Sequence, residues 1–191
     1  MPFEVVETYF DGVVKVIKPV VFEDHRGYFM EAYRADLFKE IGIDQPFVQD
    51  NQSLSKKGVI RGLHFQWDPP MGKLMRVIRG EAFLVAVDLR YDSPTLGKWV
   101  GITASEDNKL MMWAPASFAR GFAALTDNTE VHYKCTGIYN PKGEGAIRWD
   151  DPDIGIEWPI ENPILSEKDA NAMSLKDWLK KPQSKLFHLG Q

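Results

Sequence analysis

The sequence predicts a mainly β protein in which short strands form a sandwich or jelly roll around one core. Most segments alternate apolar and polar residues with a period of two and are rich in Val, Ile, Phe, Tyr and Trp, which is typical of strands that cover a core on one face. Turn signals such as Arg79-Gly80 and Asp127-Asn128 divide these segments at nearly regular spacing. This spacing favours a sandwich or barrel.

The alternation predicts strands along most of the chain. In order, they cover residues 13–17, 28–33, 47–53, 59–65, 74–78, 81–90, 99–103, 109–114, 118–125 and 130–139. Segment 81–90 is apolar at nearly every position, so both of its faces should be covered by other parts of the protein. We therefore expect it to be a central strand of a double-layered structure.

Two helices are predicted. One covers residues 35–41 and stops at Gly42, and the other covers 175–181, with Ser174 as its N-cap and Pro182 at its end. No repeat or long linker divides the sequence, so we expect one domain over residues 1–191. Within it, segment 151–191 is richer in Pro, Asn and charge and should wrap the β core.

The composition of the chain argues against several classes of binding partner and of cellular location. The 191 residues have a net charge of −4, which gives no general attraction for nucleic acid or anionic membrane. The single cysteine, Cys135, cannot form an internal disulfide, and no apolar run approaches the roughly 18 residues of a membrane span. The first residues lack the basic and apolar regions of a secretory signal. We expect a cytoplasmic protein without nucleic-acid or membrane partners.

The strand at 59–65 contains two residues that an apolar strand does not need, Arg61 and His64. A lone histidine in a strand is more often structural, because its ring can satisfy both nitrogens locally. The chain has only four histidines, however, and His64 is the best candidate for a catalytic base. Strict alternation puts Arg61 and His64 on opposite faces, unless Gly62 marks a bulge that brings both to one pocket.

A metal site is not expected. Jelly-roll proteins that bind a metal commonly use a His-x-His pair together with a Glu and a later His. His64 is followed by Phe65 and Gln66, and no second histidine lies in that strand. The sequence predicts a site without metal or redox cofactor, whose chemistry is proton transfer.

Other candidates have both a structural and a functional interpretation. Gln49 and Asn51 share a strand face that suits a ribose, base or phosphate, or simply solvent. Arg26 either belongs to a hairpin turn or joins Arg61 against a diphosphate.

Two further candidates could take part in the chemistry. Tyr133 is a core residue or a proton donor. In the same way, Lys73 is a surface lysine or a group that stabilises an enolate.

Seven segments together resemble the dTDP-4-dehydrorhamnose 3,5-epimerase family. They are DHRGYFME (24–31), FVQDN (47–51), GVIRGLHFQ (58–66), GKLMRVIRG (72–80), YKCT (133–136), WDDP (149–152) and LSEKD (165–169). Any one segment is a weak signal, but their order and spacing are specific.

The resemblance implies a cupin-type double-stranded β-helix, the jelly roll, and a substrate, dTDP-4-dehydro-6-deoxy-D-glucose, that is epimerised at C3 and C5 without a cofactor. His64 is then the base, oriented by Asp169. Tyr133 returns a proton from the opposite face of the sugar, and Lys73 holds the enolate oxygen at C4.

The resemblance also implies binding residues. Arg26 and Arg61 meet the diphosphate, Tyr139 lies near the thymine, and four residues meet the nucleoside: Phe29, Glu31, Gln49 and Asn51. Members of the family are homodimers that exchange N-terminal strands, so part of this set is expected to come from the partner chain.

One departure from the family pattern concerns a residue of the site. In PASFARGF (115–122), Arg120 occupies the position of a second histidine. Arginine cannot relay a proton at neutral pH, but it could bind the enolate oxygen or a neighbouring hydroxyl of the substrate. Alternatives therefore stay open: an epimerase acting only at C3 or only at C5, a 3,4-ketoisomerase, or a sugar-nucleotide-binding cupin without catalysis.

Overall fold

Two facing antiparallel sheets make up most of the computed structural model, which describes residues 2–190. The strands are β1 (Phe3–Tyr9), β2 (Val14–Pro19), β3 (Phe22–Asp24), β4 (Gly27–Phe29), β5 (Gln49–Ser55), β6 (Ile60–Gln66), β7 (Lys73–Arg79), β8 (Glu81–Asp88), β9 (Trp99–Ser105), β10 (Met111–Ala114), β11 (Phe118–Ala124), β12 (Thr129–Cys135) and β13 (Glu144–Ala146). The helices are α1 (Ala35–Glu40), α2 (Glu167–Ala170) and α3 (Leu175–Leu179), followed by a 3₁₀ helix at Pro182–Leu186.

The larger sheet has the strand order β1-β2-β10-β7-β12-β5, and the smaller has β13-β6-β11-β8-β9. Strands β3 and β4 form a separate hairpin. Because neighbours in each sheet are mostly distant in sequence, the chain crosses repeatedly between the layers. This is the cupin-type jelly roll that the sequence predicts.

The main core fills the space between the sheets. It joins buried residues of β7, β8, β10, β11 and β12, such as Met75, Leu84 and Phe122. Strand β8 pairs with β11 on one side and β9 on the other. The prediction of a central strand at 81–90 is therefore confirmed.

Other elements pack on part of each outer face. Helix α1 packs on the larger sheet, where the ring of Phe38 contacts that of Phe3 in β1 with centroids 4.9 Å apart. The C-terminal segment packs on the smaller sheet, where Trp178 and Phe187 contact Phe65. Among residues 2–190, no helix has the length and apolar character needed to cross a membrane.

Each predicted strand overlaps an observed one, with two large differences in length. Segment 28–33 stays extended only to Phe29, and segment 130–139 leaves the sheet after Cys135. Both predicted helices are present, and the Ser174 hydroxyl accepts the Asp177 N–H at 3.1 Å, as expected of an N-cap. Strands β1, β3 and β13 and helix α2 were not predicted. Strand β1 lies at a sheet edge and β13 and α2 are very short, so their patterns are weak.

Candidate active site

A bulge in β6 shapes the site. Arg120 of β11 pairs with His64, whereas Phe122 pairs with Arg61, so β6 uses one residue more than β11 over this stretch. Gly62 has a φ of +130°, and a Cβ there would lie 2.6 Å from the Cα of Gly121, so only glycine fits. Arg61 and His64 consequently line the same cavity, and the predicted bulge is confirmed.

The cavity lies between the two sheets. It has a volume of about 390 Å³, and a neighbouring hollow of about 230 Å³ shares four of its lining residues: His64, Lys73, Tyr133 and Lys168. The shared residues make the two spaces one continuous cleft. Its size suits a ligand larger than a single sugar ring.

His64 is held by a buried carboxylate. Its Nε2–H donates to Asp169 Oδ1 at 2.6 Å, which leaves Nδ1 as the nitrogen able to accept a proton. Asp169 is only 3% exposed, and its second oxygen accepts the Gly62 N–H at 3.4 Å. Burial alone would raise the pKa of Asp169, but its hydrogen bonds, that from His64 above all, bring the pKa below its usual value. Asp169 therefore stays ionised and orients the imidazole.

Helix α2 places Asp169. The Ser166 hydroxyl caps this helix by accepting the Asp169 N–H at 3.1 Å, and the helix packs against β6. The pair of His64 and Asp169 thus joins residues that are 105 positions apart in the sequence.

Tyr133 and Lys73 belong to the opposite sheet. Val131 and Cys135 flank Tyr133 on the buried face of β12, as the alternation predicts, and Tyr133 lines the cavity. Lys73 Nζ lies 4.9 Å from the centroid of the Tyr133 ring. Burial raises the pKa of Tyr133, while burial and the charge of Arg120 lower the pKa of Lys73 to about 8. Tyr133 is therefore protonated at neutral pH and Lys73 is mostly charged.

Arg120 also lines the cavity. Its Nη1 donates to the carbonyl oxygen of Pro115 at 2.6 Å, and its side chain is almost entirely buried. Burial lowers the pKa of Arg120 to about 10, so the guanidinium remains charged at neutral pH.

A polar network lines the other part of the cleft. Gln49 Nε2 donates to Asn51 Oδ1 at 3.0 Å, and Gln49 Oε1 accepts the N–H of Tyr139 at 2.9 Å. The Tyr139 hydroxyl donates to Glu144 at 2.7 Å, and Lys168 donates to the same oxygen at 2.6 Å. The predicted face of Gln49 and Asn51 is thus brought next to Tyr139.

Comparison with known proteins assigns the family. Residues 7–177 match the family model described as dTDP-4-dehydrorhamnose 3,5-epimerase. The chain belongs to this epimerase family. It is 51% identical over 178 residues to a dTDP-4-dehydrorhamnose 3,5-epimerase of Methanothermobacter thermautotrophicus, an alignment that covers 92% of this chain and 96% of the relative.

Solved structures of epimerases share the fold. The crystal structure of the 3,5-epimerase RmlC from Legionella pneumophila, in complex with dTDP-4-keto-L-rhamnose, is 42% identical with a TM-score of 0.91 and covers 99% of each chain. ChmJ, a 3'-monoepimerase from Streptomyces bikiniensis in complex with dTDP-quinovose, is 33% identical with a TM-score of 0.85 and covers 92% of this chain and 90% of its own.

Three predicted binding residues of this epimerase-family chain lie outside the cleft. Arg26 and Phe29 are in the β3–β4 hairpin, where Arg26 pairs with Asp24 at 2.5 Å and Phe29 is 67% exposed. Glu31 follows the hairpin and faces Arg34 at 3.4 Å. Within one chain, the structure does not bring these residues to His64.

Sequence reasoning missed several residues of the cleft. The cleft is also lined by Ser53, Glu144 and Lys168. Gln66 lines it too and links two neighbouring loops, because its Nε2 donates to the carbonyl oxygens of Pro69 and Ile138 at 2.8 and 3.0 Å. Gln66 and Lys168 stand inside two of the motifs that predict the family, but no local pattern sets them apart.

Among residues 2–190, no group of three or more His, Cys, Asp and Glu side chains could hold a metal ion. The predicted absence of a metal or cofactor stays a prediction.

Proposed function

We propose that this chain epimerises dTDP-4-dehydro-6-deoxy-D-glucose at C3 and C5, giving dTDP-4-dehydro-L-rhamnose, without a metal or redox cofactor. The observation that carries the proposal is the pair of His64 and Asp169, 2.6 Å apart, in one cavity with Tyr133 and Lys73. Close relatives named as this epimerase support it. A cytoplasmic location, expected from the sequence, is part of the proposal.

The residues have the properties that the reaction needs. The C4 ketone makes the hydrogens at C3 and C5 acidic. Neutral His64 removes such a proton, and the C–H electron pair forms a C=C bond while negative charge moves to the C4 oxygen. The cationic Lys73 stabilises that oxygen. Tyr133 then protonates the carbon, and both His64 and Tyr133 return to their starting states by proton exchange with solvent.

Inversion requires acid and base on opposite faces of the sugar. His64 is on β6 of the smaller sheet and Tyr133 is on β12 of the larger sheet, so a ring bound between the sheets has one residue on each side. A single base that removed and returned the proton would only exchange it. The two-sheet placement of His64 and Tyr133 therefore favours epimerisation over simple exchange.

The nucleotide would extend from the sugar along the cleft. We assign Gln49, Asn51 and Tyr139 to the nucleoside and Arg61 to the diphosphate. Arg61 is exposed at the cavity and is held by hydrogen bonds to Ser55 Oγ at 3.0 Å and to the backbone oxygen of Leu54 at 3.2 Å.

We further propose a homodimer that exchanges N-terminal strands. The β3–β4 hairpin exposes Phe22, Tyr28 and Phe29 at 59%, 55% and 67%, and a cluster of exposed aromatic side chains is typical of an interaction surface. In the dimer, Arg26, Phe29 and Glu31 of this hairpin region would reach the cleft of the partner chain.

An epimerase acting at one carbon is the second candidate. Arg120 favours it, because it stands where the family pattern has a histidine. Independently of Arg120, relatives include a dTDP-4-dehydro-6-deoxyglucose 3-epimerase from Streptomyces, 36% identical over 161 residues. Product analysis separates the two candidates.

The test follows deuterium at C3 and C5 by NMR during incubation of the protein with dTDP-4-dehydro-6-deoxy-D-glucose in deuterated water. We expect label at both carbons of the inverted product, dTDP-4-dehydro-L-rhamnose, and loss of both label and product in His64→Ala. His132→Ala serves as the matched control, because His132 lies in a strand but on the other face, 3.5 Å from Asp50. Label at one carbon would favour the second candidate, and label at neither would refute the proposal.

A further inference from the structure

Arg120 is a buried cation without a protein counter-ion. Every residue of β11 is buried, and Arg120 is 2% exposed. Its Nη1 is bonded to the Pro115 carbonyl, but Nε and Nη2 have no hydrogen-bond partner among residues 2–190. No carboxylate of these residues lies within ion-pair distance of it. Buried arginines are nearly always paired, because an unpaired charge and unmade hydrogen bonds both destabilise the fold.

The position of Arg120 points to the sugar end of the cleft. It pairs directly with His64 across the neighbouring strands β11 and β6, and both line the cavity. Arg61, the candidate for the diphosphate, is exposed, whereas Arg120 is shielded from solvent. Arg120 is therefore beside the proposed base rather than beside the proposed phosphate site.

The cavity contains more positive than negative charge near His64. The carboxylate of Asp169 is bonded to His64, and that of Glu144 is bonded to Lys168. Lys73 Nζ makes no hydrogen bond or ion pair to residues 2–190, and Arg120, apart from the bonds of its Nη1 to backbone oxygens, makes no ion pair either. Two cations thus face one cavity, and neither forms an ion pair with a carboxylate of residues 2–190. A ligand group that becomes negative in this cavity would complement both.

We propose that Arg120 donates a hydrogen bond from its unpartnered Nε–Nη2 edge to the C4 oxygen of a bound 4-keto sugar and shares with Lys73 the charge of the enolate. The inference rests on the proposed function and adds a catalytic residue to it. Because Nη1 alone is anchored, the guanidinium can adjust to a ligand oxygen. An arginine supplies a fixed charge and directed donors, and it does not compete with His64 for the proton.

The test compares Arg120→Gln, Arg120→Lys and the native protein by their rates of deuterium incorporation at C3 and C5. For Arg120→Gln we expect kcat to fall about 100-fold, the typical effect of removing one oxyanion donor. KM and the Kd for dTDP, which lacks the sugar, should stay close to native. Arg120→Lys keeps the charge without the planar fork and should have an intermediate kcat. Arg79→Gln, at the exposed end of β7, is the control and should behave as native.

The outcomes separate this inference from the proposed function. A native kcat in Arg120→Gln would overturn the role of Arg120 while the native enzyme still exchanges both carbons. A loss of dTDP affinity in step with kcat would also overturn it, because the arginine would then only hold the cleft together. If Arg120→Gln does not fold, Arg120→Lys decides: reduced kcat with native dTDP affinity supports the inference, and native kcat refutes it. Absence of exchange in the native protein refutes the proposed function itself.

Discussion

At the scale of single residues, Lys73 is a cation of the cavity whose charge changes in an accessible pH range. Burial and the charge of Arg120 lower its pKa to about 8. Its neighbours titrate higher, because burial raises the pKa of both Tyr133 and Cys135. A loss of activity near pH 8 can therefore be assigned to Lys73.

We predict that kcat/KM, which reports ionisations of the free enzyme, falls as the pH rises through about 8. Above that pH, Lys73 loses its proton and no longer stabilises the charge on the C4 oxygen. In Lys73→Arg the side chain stays charged, so any remaining activity should not decline in this range. In Arg120→Gln the decline should move to higher pH, because removal of a neighbouring positive charge raises the pKa of Lys73.

Initial rates of deuterium incorporation at low substrate concentration between pH 6 and about 10 give these profiles, a range that brackets the pKa of about 8 for Lys73. Identical alkaline declines in the native protein and in Lys73→Arg would contradict the assignment to Lys73.

Individual residues of the site differ in whether the sequence can predict their role. His64 could be singled out because it interrupts an apolar strand, and the structure puts His25 and His188 on the surface and His132 on the other face of β12. Asp169 could be paired with His64 only through the family resemblance. The contact depends on a four-residue helix that packs on β6, and no local pattern encodes it.

At the scale of elements, the close pairing of β6 with β11 depends on two glycines. A Cβ on Gly62 would lie 2.6 Å from Gly121 Cα, and a Cβ on Gly121 would lie 2.7 Å from the carbonyl oxygen of Arg61. Both contacts are with backbone, which cannot move without separating the strands. The bulge that turns His64 into the cavity therefore has no room for a side chain.

We predict that Gly62→Ala lowers both stability and activity. The φ of +130° is unfavourable for alanine, and the added methyl should cost roughly 1–3 kcal/mol more through overpacking. Gly12→Ala is the matched control: its φ of +84° is also unfavourable, but nothing lies within 4 Å of the added Cβ. Urea denaturation and exchange rates measure both effects. Equal losses of stability in the two variants would show that the strand contact is unimportant.

Strands and helices differ in how well their sequences predict them. Central strands such as β8 and β11 are recognisable because burial on their faces forces apolar residues into them. In β1 only Phe3 is buried, so its sequence has little contrast between faces. The bulge at Gly62 could be predicted because glycine inside a strand needs a structural reason.

At the scale of the whole molecule, the cleft formed by one chain does not contain every residue assigned to the ligand. The β3–β4 hairpin holds Arg26 away from the cleft that contains His64, and its aromatic side chains are exposed. The exchange of N-terminal strands in a homodimer would complete each cleft with the hairpin of the partner. Each cleft would then need His64 from one chain and Arg26 from the other.

We predict that two impaired variants restore activity when they form mixed dimers. His64→Ala lacks the base but has Arg26, and Arg26→Ala has the base but lacks the arginine. In a dimer of one of each, one cleft lacks both residues and the other is intact.

Random mixing of chains makes half of the dimers mixed, so about a quarter of all clefts should be native. Refolding equimolar mixtures and measuring formation of the inverted product at low substrate concentration tests this. His64→Ala mixed with Tyr133→Phe should restore nothing, because both residues belong to the same chain's cleft. If the first mixture also restores nothing although dimers form, Arg26 does not act across the dimer.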